Sequence, residues 1–130
     1  MRIKSDVKKL IGRRIVTIEG LATNSEEVLI TLSDGEKYVF YHDFDCCERV
    51  DLHDFELSSH TIAGGTILSA EVISGSNSGV EPEGSYDQSW TWTFYKIETT
   101  KGGLWMRWLV TSNGEYSEEV SFAQVIDVID

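Results

Sequence analysis

The stretch "SWTWTFYKIETTKGGLWMRWLVTSNGEYSEEVSF", residues 89–122, decides the fold. β-branched and aromatic residues dominate two long runs, 89–99 and 104–112, and the Lys101-Gly102-Gly103 break between them suits a tight turn. Side chains alternate across a strand, so Trp90, Trp92, Phe94 and Lys96 share one face, opposite Thr91, Thr93, Tyr95 and Ile97. On the partner run Leu104, Met106, Trp108 and Val110 oppose Trp105, Arg107 and Leu109. Asn113-Gly114 makes a second tight-turn dipeptide, so the C-terminal third reads as a three-stranded meander.

Working back along the chain, "EEVLITLSDGEKYVFYH" is a hairpin closed by Ser33-Asp34-Gly35-Glu36. "RIVTIEG", "CCERVDL" and "TILSAEVIS" read as further strands. Two segments break the β pattern. "SDVKKLIGRR" predicts a short helix capped by Ser5 or Asp6, with Val7, Leu10 and Ile11 on one side and Gly12 at its stop. "FAQVIDVID", at the end, is read as a short helix in preference to a last strand. The Gly- and Ser-rich residues 74–88, which hold the only proline, Pro82, predict a long flexible loop. The class is therefore mainly β, α+β at most: an antiparallel sandwich or barrel-like sheet with a short N-terminal helix, in a single domain over 1–130.

Charge narrows the partners. Residues 1–14 carry six Lys or Arg against Asp6 alone, a net +5, so a chain of net −11 leaves −16 on the remainder. Such a body repels nucleic-acid phosphates and anionic membranes, which argues against both as partners. It permits a basic protein surface, or a small ligand in a locally positive pocket. No apolar run reaches the ~20 residues that span a bilayer. Met1-Arg2-Ile3-Lys4 does not lead into an apolar signal segment, and the expected location is the cytoplasm, with its cysteines reduced.

"YHDFDCCERVDLHDF", residues 41–55, gathers two histidines, two adjacent cysteines and five acidic residues. His42, Cys46, Cys47 and His53 supply zinc-ligating atoms, but adjacent cysteines lack the spacing that turns both sulfurs toward one ion. Asp43, Asp45, Glu48 and Asp51 offer oxygen ligands without the glycine a calcium loop requires. A cysteine nucleophile needs a cationic setting, and here only Arg49 is nearby. Pairing His42 with Asp43 or Asp45, or His53 with Asp54, joins sequence neighbours that a strand turns apart. No hydrolase, zincin, dinucleotide or P-loop motif occurs. The plain reading is a turn with a solvated acidic edge, with no catalytic centre and no cofactor.

The tryptophans are the stronger lead. Apolar residues on both faces of adjacent strands imply a second sheet, an oligomer partner or a ligand. Trp90, Trp92, Trp105 and Arg107 combine stacking planes with a bidentate cation, as a planar heteroaromatic ligand bearing phosphates requires. The plainer alternative is a Trp-rich core with Arg107 lying along it.

Read together, "YHDFDCCERV", "GGTILSAE", "SWTWTFYKIETTKGG" and "SNGEYSEEVSF" resemble a family of small phage and bacterial proteins described as a domain of unknown function. The shared pattern falls on His42, Asp43, Asp45, Cys46, Cys47 and Glu48, then on Trp92-Thr93-Phe94-Tyr95. It ends on Ser112-Asn113-Gly114 with Tyr116 and Ser117, covering about residues 12–122; Glu115 departs from it, an aromatic being expected there. The resemblance implies context and no activity: a phage accessory protein acting against a host defence component. Three functions follow, in order of preference. The first is a homo-oligomeric, non-enzymatic protein that sequesters a small nucleotide-like signal. The second is an acidic inhibitor that docks on a host protein. The third is a metal- or cysteine-dependent hydrolase built on His42, Cys46, Cys47 and His53.

Overall fold

The computed structural model describes residues 1–44, 48–76, 89–112 and 119–126. They form nine strands: β1 Arg2–Lys4, β2 Ile15–Glu19, β3 Val28–Leu32, β4 Lys37–Tyr41, β5 Arg49–Leu57, β6 Ile67–Ser76, β7 Ser89–Thr99, β8 Gly102–Ser112 and β9 Ser121–Val125. Two antiparallel sheets result, ordered β1-β9-β4-β3-β2 and β5-β8-β7-β6, and they stack as a sandwich.

The Asp34-Gly35 hairpin forms as its sequence dictates. Gly35 takes φ 89°, a left-handed conformation that suits a residue without Cβ, and the Asp34 carboxylate accepts from the Glu36 N–H at 2.9 Å. The β7–β8 hairpin pairs all along its length, from Ser89 opposite Ser112 to Thr99 opposite Gly102. Between the sheets Phe40 meets Tyr95 edge-on at 4.7 Å, Phe122 lies 5.0 Å from Phe40, and Leu52, Ile97, Met106 and Trp108 are fully enclosed. Each such aliphatic side chain stabilises the fold by about 2–5 kcal/mol against truncation to Ala.

The short N-terminal helix is present as a 3-10 turn over Val7–Leu10, capped by Asp6, with Val7 and Leu10, three apart, buried; Ile11, expected beside them, is exposed. Three further expectations are corrected. "FAQVIDVID" begins as strand β9. The meander fails as well: β8 already has β5 and β7 on its two edges, so β9 joins the other sheet, between β1 and β4. Residues 74–76, assigned to the loop, complete β6; 77–88 lie outside the described residues. No helix among the described residues is long and apolar enough to cross a membrane.

The alternation read on β7 and β8 holds, and the structure settles which side is in. Thr91, Thr93, Tyr95 and Ile97 face the core with Met106, Trp108 and Val110. Trp92, Phe94, Lys96, Trp105 and Arg107 lie on the outer face of the four-stranded sheet.

Candidate functional site

Two places deserve comparison: the outer face of the β5-β8-β7-β6 sheet, and a cleft between the sheets beside the N-terminal segment.

On the outer face, the apolar positions of β5 shift parity, from Val50 and Leu52 to Phe55 and Leu57, because His53 is an extra residue in a bulge. The bulge turns Asp54 outward, opposite Arg107. The Arg107 guanidinium donates two hydrogen bonds to the Asp54 carboxylate, at 2.9 and 2.6 Å, and stands 4.9 Å over the Trp92 ring. The His53 ring meets Trp92 edge-on at 5.1 Å. Trp92 is thereby only 7% exposed although it lies on the outside of its sheet. Of the sequence-predicted ligand residues, Trp92 and Arg107 come together, Trp90 sits half-buried at the end of the same face, and Trp105 presents a 39% exposed ring. Trp105 lines a shallow cleft of about 370 Å³ with Ile73, Phe94, Lys96 and Glu71.

Electrostatics limits that face. Its described residues supply the carboxylates Asp51, Asp54, Glu56, Glu71 and Glu98 against Arg49, Lys96 and Arg107. Arg107, the cation nearest the ring, is already paired. An anionic ligand gains little there. Burial pushes the Asp51 carboxyl above the ordinary carboxylate range; its Oδ1 is buried without a hydrogen-bond donor among the described residues, and His53 Nδ1 stands 3.9 Å away.

The histidines predicted as zinc ligands are not brought together. His53 lies on the outer face just described, whereas His42 is 5% exposed at the end of β4. His42 Nδ1 donates to the Glu119 carbonyl at 2.6 Å, since a carbonyl can only accept. Its Nε2 meets Glu48 Oε1 at 3.0 Å, with the two side chains 1% and 0% exposed. Both ring nitrogens are engaged by Glu119 and Glu48, so neither is free to ligate a metal. His42 and Glu48 instead join the end of β4 to the residue that precedes β5. Cys46 and Cys47 lie outside the described residues, and the described residues contain no cluster of three or more metal-ligating side chains.

The second place was not singled out in the sequence. Where β6 and β7 lie across from β1 and β9, a cleft of about 720 Å³ opens between the sheets. Tyr95 and Phe122 form its floor, Ser74, Thr93 and Ser121 contribute hydroxyls, and Lys4, Asp6, Lys9 and Glu119 stand at its rim. The Tyr95 hydroxyl donates to the Val120 carbonyl at 2.7 Å, and burial raises this phenol far above its ordinary value, so it stays a donor. Asp6 is occupied as the cap of the 3-10 turn, accepting from the Lys8 N–H at 2.9 Å. The nearest carboxylate to Lys4 is Asp43, at 3.8 Å and exposed, and Lys9 makes no ion pair among the described residues. The signal in the sequence was the +5 segment: strand β1 and the turn behind it bring its Lys4 and Lys9 to the cleft, while its Arg2 pairs with Glu27 and its Arg13 with Asp34 and Glu36. Volume, apolar floor and convergent polar groups are those of a small-molecule site.

With this geometry in hand, the chain belongs to the family described as a domain of unknown function, DUF7448, which matches residues 8–122. The match bears out the resemblance read from the sequence at that level. No curated protein and no solved structure matches the chain.

Proposed function

We propose that this domain is a non-enzymatic binding protein that holds a small nucleotide-like anion in the cleft between its sheets and releases it unchanged. One observation carries the reading: a cleft of about 720 Å³ lies where Lys4 and Lys9 of the cationic N-terminal segment meet an otherwise acidic body. Lys9 and Lys4 would meet the phosphates, and Glu119 and the hydroxyls of Ser74, Thr93 and Ser121 would take the donors and acceptors of a base. The outer-face site of Trp105 and Arg107 is the second reading, favoured by the exposure of the Trp105 ring and weakened by the Asp54–Arg107 pair. Sequestration by a phage accessory protein, acting against a host defence, remains the biological setting of this proposal.

Titration calorimetry with adenine and guanine mono- and dinucleotides, linear and cyclic, tests it. Binding that Lys9→Glu weakens tenfold or more, that salt weakens, and that Trp105→Ala leaves intact supports the cleft. Binding abolished by Trp105→Ala and indifferent to Lys9→Glu moves the site to the outer face.

A further inference from the structure

Strand β6 ends one edge of its sheet, and among the described residues its outer edge is open beyond its start. The segment before β2 covers only its start: Gly12 N–H donates to the Ile67 carbonyl at 2.7 Å, and Ile67 N–H to the Arg13 carbonyl at 2.8 Å. The opposite edge strand, β5, is covered by the Asn24–Ser25 turn, through Asn24 N–H to the Leu52 carbonyl and Leu52 N–H to the Ser25 carbonyl. From Glu71 to Ser74 every residue is exposed, on both faces, with Val72 at 49% and Ile73 at 66%. An edge this long and apolar, without lysine, proline or bulge beyond Leu68, is a template for another strand.

We propose that β6 pairs with β6 of a second copy of this chain, antiparallel about a twofold axis at Ile73, joining two four-stranded sheets into one of eight. The strand's own pattern selects this occupant. Opposed residues of an antiparallel pair share a face, so the axis must fall where equals or complements meet. Centred on Ile73, the pairing sets Ile73 on Ile73 of the second copy, Val72 on Ser74 and Glu71 on Gly75. Glu71, the only charge in β6, then faces no carboxylate across the strand and keeps Lys96 as its neighbour on β7. Centring on Glu71 would set two carboxylates face to face. The row Asp54–Arg107–Phe94–Ile73, which crosses all four strands, continues through the axis, so the apolar residues meet in the middle and the ion pairs lie outside. On the inner face Val72 and Ser74, which line the cleft, come to the boundary, and the two clefts adjoin. A ladder of this length sits at the low end of specific interfaces, so the dimer is concentration-dependent, on the order of micromolar. The inference does not rest on the proposed ligand, because pairing needs none.

Sedimentation velocity over a hundredfold range of concentration reads the association, and Ile73→Lys should leave a folded monomer throughout. Ile73→Cys adds a measurement of register: directly opposed Cα atoms fall within disulfide range, whereas Val72→Cys thiols, two residues out of step, do not. Peptide mapping of the oxidised protein should find the 73–73 link and no 72–72 link. A wild type monomeric at every concentration overturns the proposal. So does a dimer that Ile73→Lys leaves intact, or a 72–72 link forming as readily as 73–73.

Discussion

Replacing His42 by Ala tests whether the His/Asp/Cys stretch is a structural clamp or a metal centre. The imidazole bridges a backbone carbonyl and a carboxyl group that is 0% exposed. Removing it leaves the Glu119 carbonyl without this donor, a loss of about 1 kcal/mol for a part-buried hydrogen bond. Glu48 loses a partner that helps offset its burial, and breaking a buried pair in this way costs about 3–5 kcal/mol. The two losses share one side chain and do not add in full. The expected destabilisation is therefore about 3–5 kcal/mol, a large part of the ~5–15 kcal/mol that a domain possesses, and a fall of roughly 10–20 °C in Tm. Glu48→Gln keeps the shape and offers an N–H to Nε2, so it should cost about 1 kcal/mol. Urea unfolding with and without a chelator is the assay, the slope m serving as the check that only stability has changed. A His42→Ala loss below about 1 kcal/mol would refute the clamp. A wild type that chelator weakens to the level of His42→Ala would reinstate the metal reading.

Two further outcomes concern the outer face. Trp92→Ala should cost about 3 kcal/mol or more, because the ring is enclosed by Arg107 and His53, whereas Trp105→Ala should cost about 1 kcal/mol or less; large equal losses in urea melts would contradict this assignment. Asp51 has a folded-state pKa raised by burial, so the folded protein holds its proton more tightly than the unfolded chain, and its contribution worsens as pH rises from the ordinary carboxylate range through the raised value. Asp51→Asn should therefore raise stability at neutral pH and remove that slope just above the ordinary carboxylate range, as melts across pH would register.

Much of the architecture was legible because local rules and tertiary packing agree. Asp34-Gly35 and Gly102 mark turns with a steric reason, and β7 and β8 show their period of two throughout. β9 was misread because it is a central strand: Phe122 packs in the core while Ala123 is buried on the opposite face with Val39 and Tyr41. Burial on both faces erases alternation. The side of β7 that faces inward was hidden for a different reason. Large aromatic residues are expected inside, yet here Thr91 and Thr93 take the core side and Trp92 is buried from the outside by an arginine and a histidine. The His53 bulge did leave a trace, in the parity shift between Leu52 and Phe55, and with it the Asp54–Arg107 pair was within reach. The cleft was not: its walls come from β1, the 3-10 turn, β6, β7 and β9, and no local pattern links segments so far apart.

Native mass spectrometry of the protein purified from cells, and again after addition of the nucleotide panel, tests the central claim most directly. The wild-type protein should carry a stoichiometric nucleotide-like mass, released intact on denaturation and lost in Lys9→Glu. A wild-type protein that carries no such mass and takes up no nucleotide from the panel, beyond what Lys9→Glu takes up, would contradict it.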